Sequence, residues 1–462
     1  MGQLTAFLQG ILDLGAPIVL PIIMTLVALL FRTGIRTAIS SGLLIGVGFT
    51  AMNVILDFLF SSIGTAATAF VENTGLQLTT LDVGWAPVAA ISWAWPYAFL
   101  MFPLQILINV LMLALNLTAT LNVDLWNVWN KVLTGLLVAS ISGSIPLAFG
   151  FAAIEIVLEL KQADWSADLV EECTGIPGVA ITHPLLLEWI LFLPLNRLLE
   201  LIPFIANNSF EPEALRERIG IFSENHVAGF LIGALLGIFA GYNLAGVLTL
   251  GIQAGTALAL FPLAATFFIS ALMPIANSAR DILEARFPGR TFHIGLNWSF
   301  AAGLASLWVA AILNIPVLIL WSLILPGNNV LPFGGILALC TSIPAAIITR
   351  NDVLRTTLLT WIGQPLWILA GNLYSGPITD LARVVNVIKI PEDVSSITWM
   401  TMEAPSMRIT FTAISDLIAN GHFSPLLILA AVSVILFFVS SRMLREENLA
   451  SAIKLGNTTR DD

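Results

Sequence analysis

The sequence predicts an all-α polytopic membrane protein of about eleven transmembrane helices, some of them broken by re-entrant hairpins. Three observations carry this reading. Of 462 residues, 57% are hydrophobic and only 10% charged, against about a quarter charged in soluble domains. The mean hydropathy is +0.92. The few charges fall between apolar blocks that match or exceed the roughly 20 residues a membrane-crossing helix needs, and several blocks are interrupted by Pro, Gly and Asn.

Taken in order, residues 14–31 form a first span containing Pro17 and Pro21, closed by Arg32 and Arg36, and residues 38–60 form a second. The interval from Val83 to Val123 carries no formal charge. It is too long for one crossing and too short for two with a loop, so part of it should be re-entrant or broken. Residues 133–154 give another span. The following KQADWSADLVEEC, with acids alternating around Trp165, reads as an amphipathic helix lying flat on the membrane surface. Between Pro184 and Pro203, Glu188, Arg197 and Glu200 interrupt an apolar stretch, which should be enclosed by protein.

The polar run EPEALRERIG at 211–220 divides the chain nearly in half. From Asn225 to Ala279 no formal charge occurs, enough for two spans, and the first carries Gly229, Gly233, Gly237 and Gly241 on one face. That GxxxG spacing serves close helix approach, either between subunits or domains or against the neighbouring span. Another uncharged block, Thr291 to Thr349, is broken by Pro326-Gly327-Asn328-Asn329. Spans follow at 356–372 and 424–441, separated by a stretch, 373–423, that reads as irregular. Arg32, Arg36, Arg280, Arg286, Arg290, Arg350, Arg355, Arg442, Arg445 and Lys454 mark cytoplasmic loops and tail, placing the C-terminus inside and the N-terminus outside.

The halves also correspond. Counted from Gly15 and Gly229, Thr182-His183-Pro184 falls almost level with Ile397-Thr398-Trp399, and Asp124 roughly level with Pro326. Five spans per half would invert one repeat relative to the other, the pattern of transporters whose site lies between broken helices.

Composition also excludes functions. A net charge of -10 offers no basic footprint for nucleic acid. Cys173 and Cys340 form no CxxC pair, and His226, His293 and His422 lack carboxylate or thiol neighbours at ligand spacing, so no metal or other cofactor is expected. No GxSxG, HExxH, Walker loop or GxGxxG occurs. No removable signal is read at the start. Nothing in these motifs points to hydrolysis or nucleotide binding, and the chain reads as a transporter rather than an enzyme.

Four polar segments in apolar surroundings are the candidate solute site, because hydrogen-bonding groups there need one another, water or a solute. Ser92 and Trp93 precede helix-breaking Pro96 and suit a hydroxylated ring or chain, or an interfacial aromatic belt. Asp124, Asn127 and Lys131 share one helical face, with Trp126 and Asn130 in the same segment; the alternative makes Asp124 an N-cap and Lys131 a topological anchor. His183 and Glu188 flank Pro184, His183 to bond solute and Glu188 to accept a hydroxyl or orient the imidazole, unless the histidine is merely solvated. Asn328, Asn329, Pro332 and Gly335 form an uncharged turn that suits a hairpin tip facing solute, or an ordinary turn at the surface.

At these segments the chain resembles the galactitol-type enzyme IIC family, membrane permeases of bacterial phosphoenolpyruvate-dependent phosphotransferase systems, a group that includes ascorbate permeases. The likeness rests on ILDLGAPIVLPI, LDVGW at 81–85, NVDLWNVWN at 122–130 and the TGLL after it, the ITHP region, GIFAGYNLAGVL at 237–248, LMPIANSAR at 272–280, HIGLN at 293–297 and PGNNVLPFGG at 326–335. It implies a dimeric elevator carrier in the bacterial inner membrane. Its scaffold, or V-motif, would comprise residues 1–62 and 225–290, its transport core residues 63–224 and 291–423, each part with a re-entrant hairpin, followed by a last span and tail at 424–462. It also implies a cytoplasmic IIB partner that phosphorylates the solute from a phosphocysteine, itself supplied by IIA, and a site built from the residues just named. Thr182, Pro184, Gly335 and Asn297 depart from the family pattern, which leaves the solute open among polyols, ketoses and sugar acids. An ion-coupled carrier of the same fold is the alternative, with Asp124, Glu155, Glu159 and Glu188 as the buried carboxylates it would use.

Overall fold

The computed structural model describes residues 16–74, 78–124, 127–206, 225–286, 290–332, 339–385, 390 and 395–457. Trp126, Gly335 and the polar run 211–220 lie outside the described residues. The architecture is mostly helical: α1 (Ala16–Leu30), α2 (Ile35–Thr74), α3 (Trp85–Trp93), α4 (Met101–Ala114), α5 (Val128–Ser142), α6 (Ile145–Thr174), α7 (Trp189–Glu200), α8 (Asn225–Phe239), α9 (Leu244–Arg286), α10 (Ala305–Ile324), α11 (Leu339–Ile348), α12 (Val353–Val385), α13 (Pro405–Asn420) and α14 (Leu426–Leu455). Among the described residues six short strands interrupt them: β1 (Thr80–Asp82), β2 (Thr120–Asn122), β3 (Val179–Ile181), β4 (His293–Leu296), β5 (Val330–Leu331) and β6 (Ser396–Thr398).

Among the described residues, α14 alone is a helix long and apolar enough by itself to cross a membrane. Shorter apolar runs lie at Ile35–Gly48, Met101–Ala114, Val128–Ser142, Leu244–Ala257 and elsewhere. Strands and prolines cut the uncharged intervals into pieces, and several helices bury polar side chains, which lowers their hydropathy without exposing them to lipid. The Val83–Val123 interval breaks after Trp93, resumes at Met101 and ends in β2.

Two helix groups pack internally. In the first, α2 packs against α1 and α9, and α8 against α9, around Met24, Ala28, Ala38, Ile45, Ala271 and Ile275. The second comprises α3–α7 and α10–α14 around a large apolar core that includes Leu133, Leu136, Trp189, Phe192, Trp367 and Ile409. The strands form two parallel sheets, ordered β5-β1-β6 and β2-β4-β3. Each sheet therefore takes its central strand from one half of the chain and both edges from the other. This pairing satisfies backbone that leaves the helices inside an apolar interior.

Three sequence expectations are corrected. KQADWSADLVEEC does not lie flat: it continues α6 without a break, with Gln162, Ser166 and Asp168 buried and Trp165 set against Trp189 and Phe437. These buried polar residues face protein. The stretch 373–423 is not irregular either, since α12 runs on to Val385 and α13 is a largely buried helix. Asp124 does not share a helix face with Asn127 and Lys131, because α5 starts at Val128 with Asn127 at its N-cap.

The glycine face of α8 is spent internally. A Cβ on Gly229 would lie 2.7 Å from the Gly255 Cα, and one on Gly233 would run into the Leu250 carbonyl oxygen of α9. The spacing thus serves a helix pair within one chain. At the polar ends of α6, α12 and α14, the turn residues Arg350 (φ 53) and Asn351 (φ 65) adopt the left-handed conformation. Arg350 donates to Glu172 at 3.0 Å and to Glu447 at 2.7 Å, and Lys454 adds a 2.9 Å pair with Glu172. Desolvation alone would raise the Glu172 carboxyl; hydrogen bonds from Ser451, Lys454 and Arg350 together outweigh it and hold the group below its ordinary value. Burial pushes the neighbouring Cys173 thiol up to about 12, so it stays a thiol rather than a nucleophilic thiolate.

Gly233→Val is expected to abolish the folded chain, whereas Gly150→Ala, where an added Cβ meets nothing within 4 Å, should be neutral or stabilising; size-exclusion profiles of detergent-solubilised protein compare them. Because Glu172 is depressed in the folded state, its stabilisation is complete above the unfolded carboxylate range and is lost as pH falls through the folded value. The melting-temperature gap between wild type and Glu172→Gln should accordingly be present at pH 7 and close in acid.

Candidate functional site

The strands deliver the polar residues. After β2 the chain turns through Asp124, whose Oδ1 accepts the Asn127 amide at 3.2 Å, and enters α5. Asn109 of α4 fixes the strand, donating to the Thr120 carbonyl at 2.8 Å and accepting from the Asn122 amide at 2.9 Å. After β3 comes His183, N-cap of the 3-10 turn Pro184–Glu188, whose Nδ1 accepts the Leu185 amide at 3.3 Å. The two segments are tied together: Asn127 donates to the Thr182 carbonyl at 3.1 Å, and Gln162 of α6 to the Ile181 carbonyl at 2.6 Å. Asn130 in turn donates to the Asn127 carboxamide at 2.6 Å.

The second half contributes Glu403 and Arg408. Arg408 of α13 donates from Nε to the Glu403 carbonyl at 2.8 Å, and from its two terminal nitrogens to Thr134 at 2.5 Å and Asn130 Oδ1 at 2.8 Å. The planar fork suits such multiple recognition. His183 Nε2 lies 3.5 Å from Glu403 Oε1, and with Nδ1 accepting, the neutral imidazole carries its proton on Nε2, toward that carboxylate. Ser406 donates through both amide and hydroxyl to Glu188 Oε1. Lys131 is fully buried and ion-paired with Glu159 of α6. Trp129 completes the wall, with Trp399 at 5.4 Å and Trp85 at 6.4 Å between ring centroids.

Asp124, Asn127, Asn130, His183 and Glu188 are thus brought into one buried region. Ser92 spends its hydroxyl proton on the Val88 carbonyl of its own helix, and Trp93 stacks on Phe102 at 5.4 Å. Asn328 builds its turn: it donates to the Ser322 and Val330 carbonyls and accepts from the Val330 amide and Asn372. The Asn329 amide donates to Asn372 at 2.9 Å, and its carbonyl accepts from Thr80, beside β5. Pro332 is buried just beyond. This hairpin joins the other sheet, where Asp82 Oδ1 accepts the Gly84 and Met400 amides. Lys131 is no topological anchor, and Glu403 and Arg408 escaped the sequence reading. The signal for Arg408 was available: a lone arginine among Ser, Thr and apolar residues at helical spacing.

Buried neutral donors and acceptors around a few paired charges, reached from both halves of a mostly helical chain, are the arrangement expected of a carrier of polar solutes. Residues 10–393 match the family described as PTS system sugar-specific permease component, and the chain belongs to that family of phosphotransferase-system permeases. It is a transporter subunit, not an enzyme. It is 31% identical over 430 residues, 90% of this chain and 95% of the relative, to the PTS system galactitol-specific EIIC component of Escherichia coli strain K12, and equally to that of Escherichia coli O157:H7.

Removing one member of a buried ion pair costs about 3–5 kcal/mol, whereas replacing both by apolar residues is often neutral. Lys131→Met should therefore lower the melting temperature sharply, and Lys131→Met with Glu159→Met should recover most of the loss.

Proposed function

We propose that the chain is the IIC permease of a phosphoenolpyruvate-dependent phosphotransferase system, sited in the bacterial inner membrane and importing a small polyol or sugar, galactitol foremost. A cytoplasmic IIB partner phosphorylates the solute from a phosphocysteine that IIA replenishes. The carrying observation is the likeness to galactitol-specific components along nearly the whole chain, joined to a buried network of carboxamides, imidazole and indoles of the kind that hydrogen-bonds and stacks on polyols.

The transport cycle is of the elevator type. Its scaffold is the group α1, α2, α8 and α9, and its core the remaining helices, a division supported by packing that is denser within each group than between them. The halves are inverted repeats; the reciprocal exchange of β1 and β4 between sheets supports this, because related halves would trade equivalent strands. The working unit is a homodimer with the N-terminus outside and the C-terminus in the cytoplasm, where Arg442, Arg445 and Lys454 lie. Asp124, Asn127, Asn130, His183 and Glu188 hold solute, with Arg408 and Glu403 positioning Asn130 and His183. Asn328 shapes its hairpin, because its carboxamide is committed to the turn.

The test is uptake of labelled galactitol into oriented vesicles with and without phosphoenolpyruvate and the soluble proteins. Phosphorylated product is expected only with the complete relay, and Asn127→Ala or His183→Ala should each lower the rate about tenfold with folded protein retained. Accumulation of unmodified galactitol on an ion gradient alone would transfer the chain to ion-coupled carriers.

A further inference from the structure

The two ends of α11 are held in different ways. The helix has ten residues, about 15 Å, too few to cross a bilayer. Its body is apolar: Ile343, Ala345, Ala346, Ile347 and Ile348 belong to the large core. It packs against α7 and against the 3-10 turn Pro184–Glu188, which His183 caps and Glu188 closes. Beyond Ile348 the ties become polar. Arg350 reaches Glu172 of α6 and both the carboxylate and the carbonyl of Glu447 on α14. The Asn351 carboxamide donates to the Cys173 carbonyl at 3.1 Å and accepts from Ser306 of α10 at 3.1 Å. Two side chains thus fasten the turn between α11 and α12 to α6, α10 and α14.

Both residues hold left-handed backbone, φ 53 and φ 65. Asparagine tolerates it, but arginine does so poorly, and the external contacts are what keep the turn in place. Those contacts are also the kind that water can replace. The Arg350 side chain is 25% exposed, and those of Glu172 and Glu447 are 18% and 14% exposed, so solvent and salt compete for their pairing. The apolar packing of α11 has no such substitute. A short helix fixed by exchangeable ion pairs at one end, and packed along its body against the turn that carries candidate site residues, has the build of a two-position element.

We propose that the Arg350–Asn351 turn is a releasable latch on α11. While Arg350 spans Glu172 and Glu447, α11 is pressed against the turn that carries His183 and Glu188, and solute is retained there. When Arg350 lets go, that end of α11 parts from α6 and solute affinity falls. Arg350 is a positioning residue and touches no solute. This rests on the transport reading above and adds how its site is controlled. The molecule carries its own reporter: the Cys173 thiol donates to the Ile347 carbonyl of α11 at 3.4 Å, and burial pushes it up to about 12, so it reacts slowly with a maleimide until the latch parts.

The test is the rate at which N-ethylmaleimide adds to Cys173 in purified full-length protein, read by mass spectrometry of its peptide so that Cys340 is scored separately. Saturating galactitol, or whichever member of a polyol and hexose panel binds by tryptophan fluorescence, should slow addition in the wild type about fivefold or more. By linkage, a solute that needs α11 in place must stabilise the closed latch. Arg350→Ala should raise the rate about tenfold or more, the scale of losing hydrogen bonds between charged groups. Arg350→Lys, which keeps the charge but not the planar fork that spans both carboxylates, should fall between. A purely structural tie would loosen Cys173 in the variants without the solute effect in the wild type. Solute that binds without slowing Cys173, or a folded Arg350→Ala protein that labels at the wild-type rate, overturns the latch and leaves the transport reading standing. The solute comparison decides by itself if the variants do not fold. A wild type that binds no member of the panel overturns the transport reading and the latch with it.

Discussion

Backbone that leaves a helix inside an apolar molecule must find partners for every amide and carbonyl, and the rest of this structure depends on how that demand is met. Helical continuity would satisfy it but would place only side chains in the interior. Here short strands do so instead, each sheet borrowing from the opposite half of the chain. The segments leaving the strands then carry the polar chemistry: Asp124 and Asn127 follow β2, His183 follows β3, and Trp399 to Glu403 follow β6. The candidate site is a by-product of where the helices stop.

The buried charges obey the same logic one level up. Arg408 reaches across from the second half to Asn130 and Thr134, while Asn127 reaches from α5 to the end of β3. Such contacts add less net stability than apolar packing of equal volume, but they leave few alternative arrangements open, because each misplaced partner strands a charge. The left-handed Ala404 (φ 48) between Glu403 and α13 fits that pattern: a locally strained residue held where two polar elements must meet.

Much of the candidate site was legible because polar residues stand out against an apolar background. The break near Pro96 and the turn at Asn328 both follow from locating prolines and glycines in uncharged stretches. The buried cations were missed for one reason. A rule that treats each Lys or Arg as a marker of water cannot recognise Lys131, whose partner Glu159 sits a helix away, nor Arg408, whose partners lie more than 270 residues earlier. Pro391 and Pro405 made the stretch 373–423 read as irregular, although Pro405 merely opens α13. Glycine spacing on α8 announced a close approach but could not say to what; the answer, α9, is its neighbour in sequence.

Strand exchange also sets a schedule for making the molecule. Thr80 of β1 meets Ser396 of β6 across 316 residues of chain. At about 5–20 residues per second, the ribosome needs on the order of 15–60 s to supply that partner. Throughout this interval β1 has an open edge in a nascent chain whose upstream helices have already been made. The central strand of the first sheet is therefore among the earliest parts synthesised and among the last completed, and membrane-insertion machinery must shelter an unfinished sheet for most of the time taken to translate the protein.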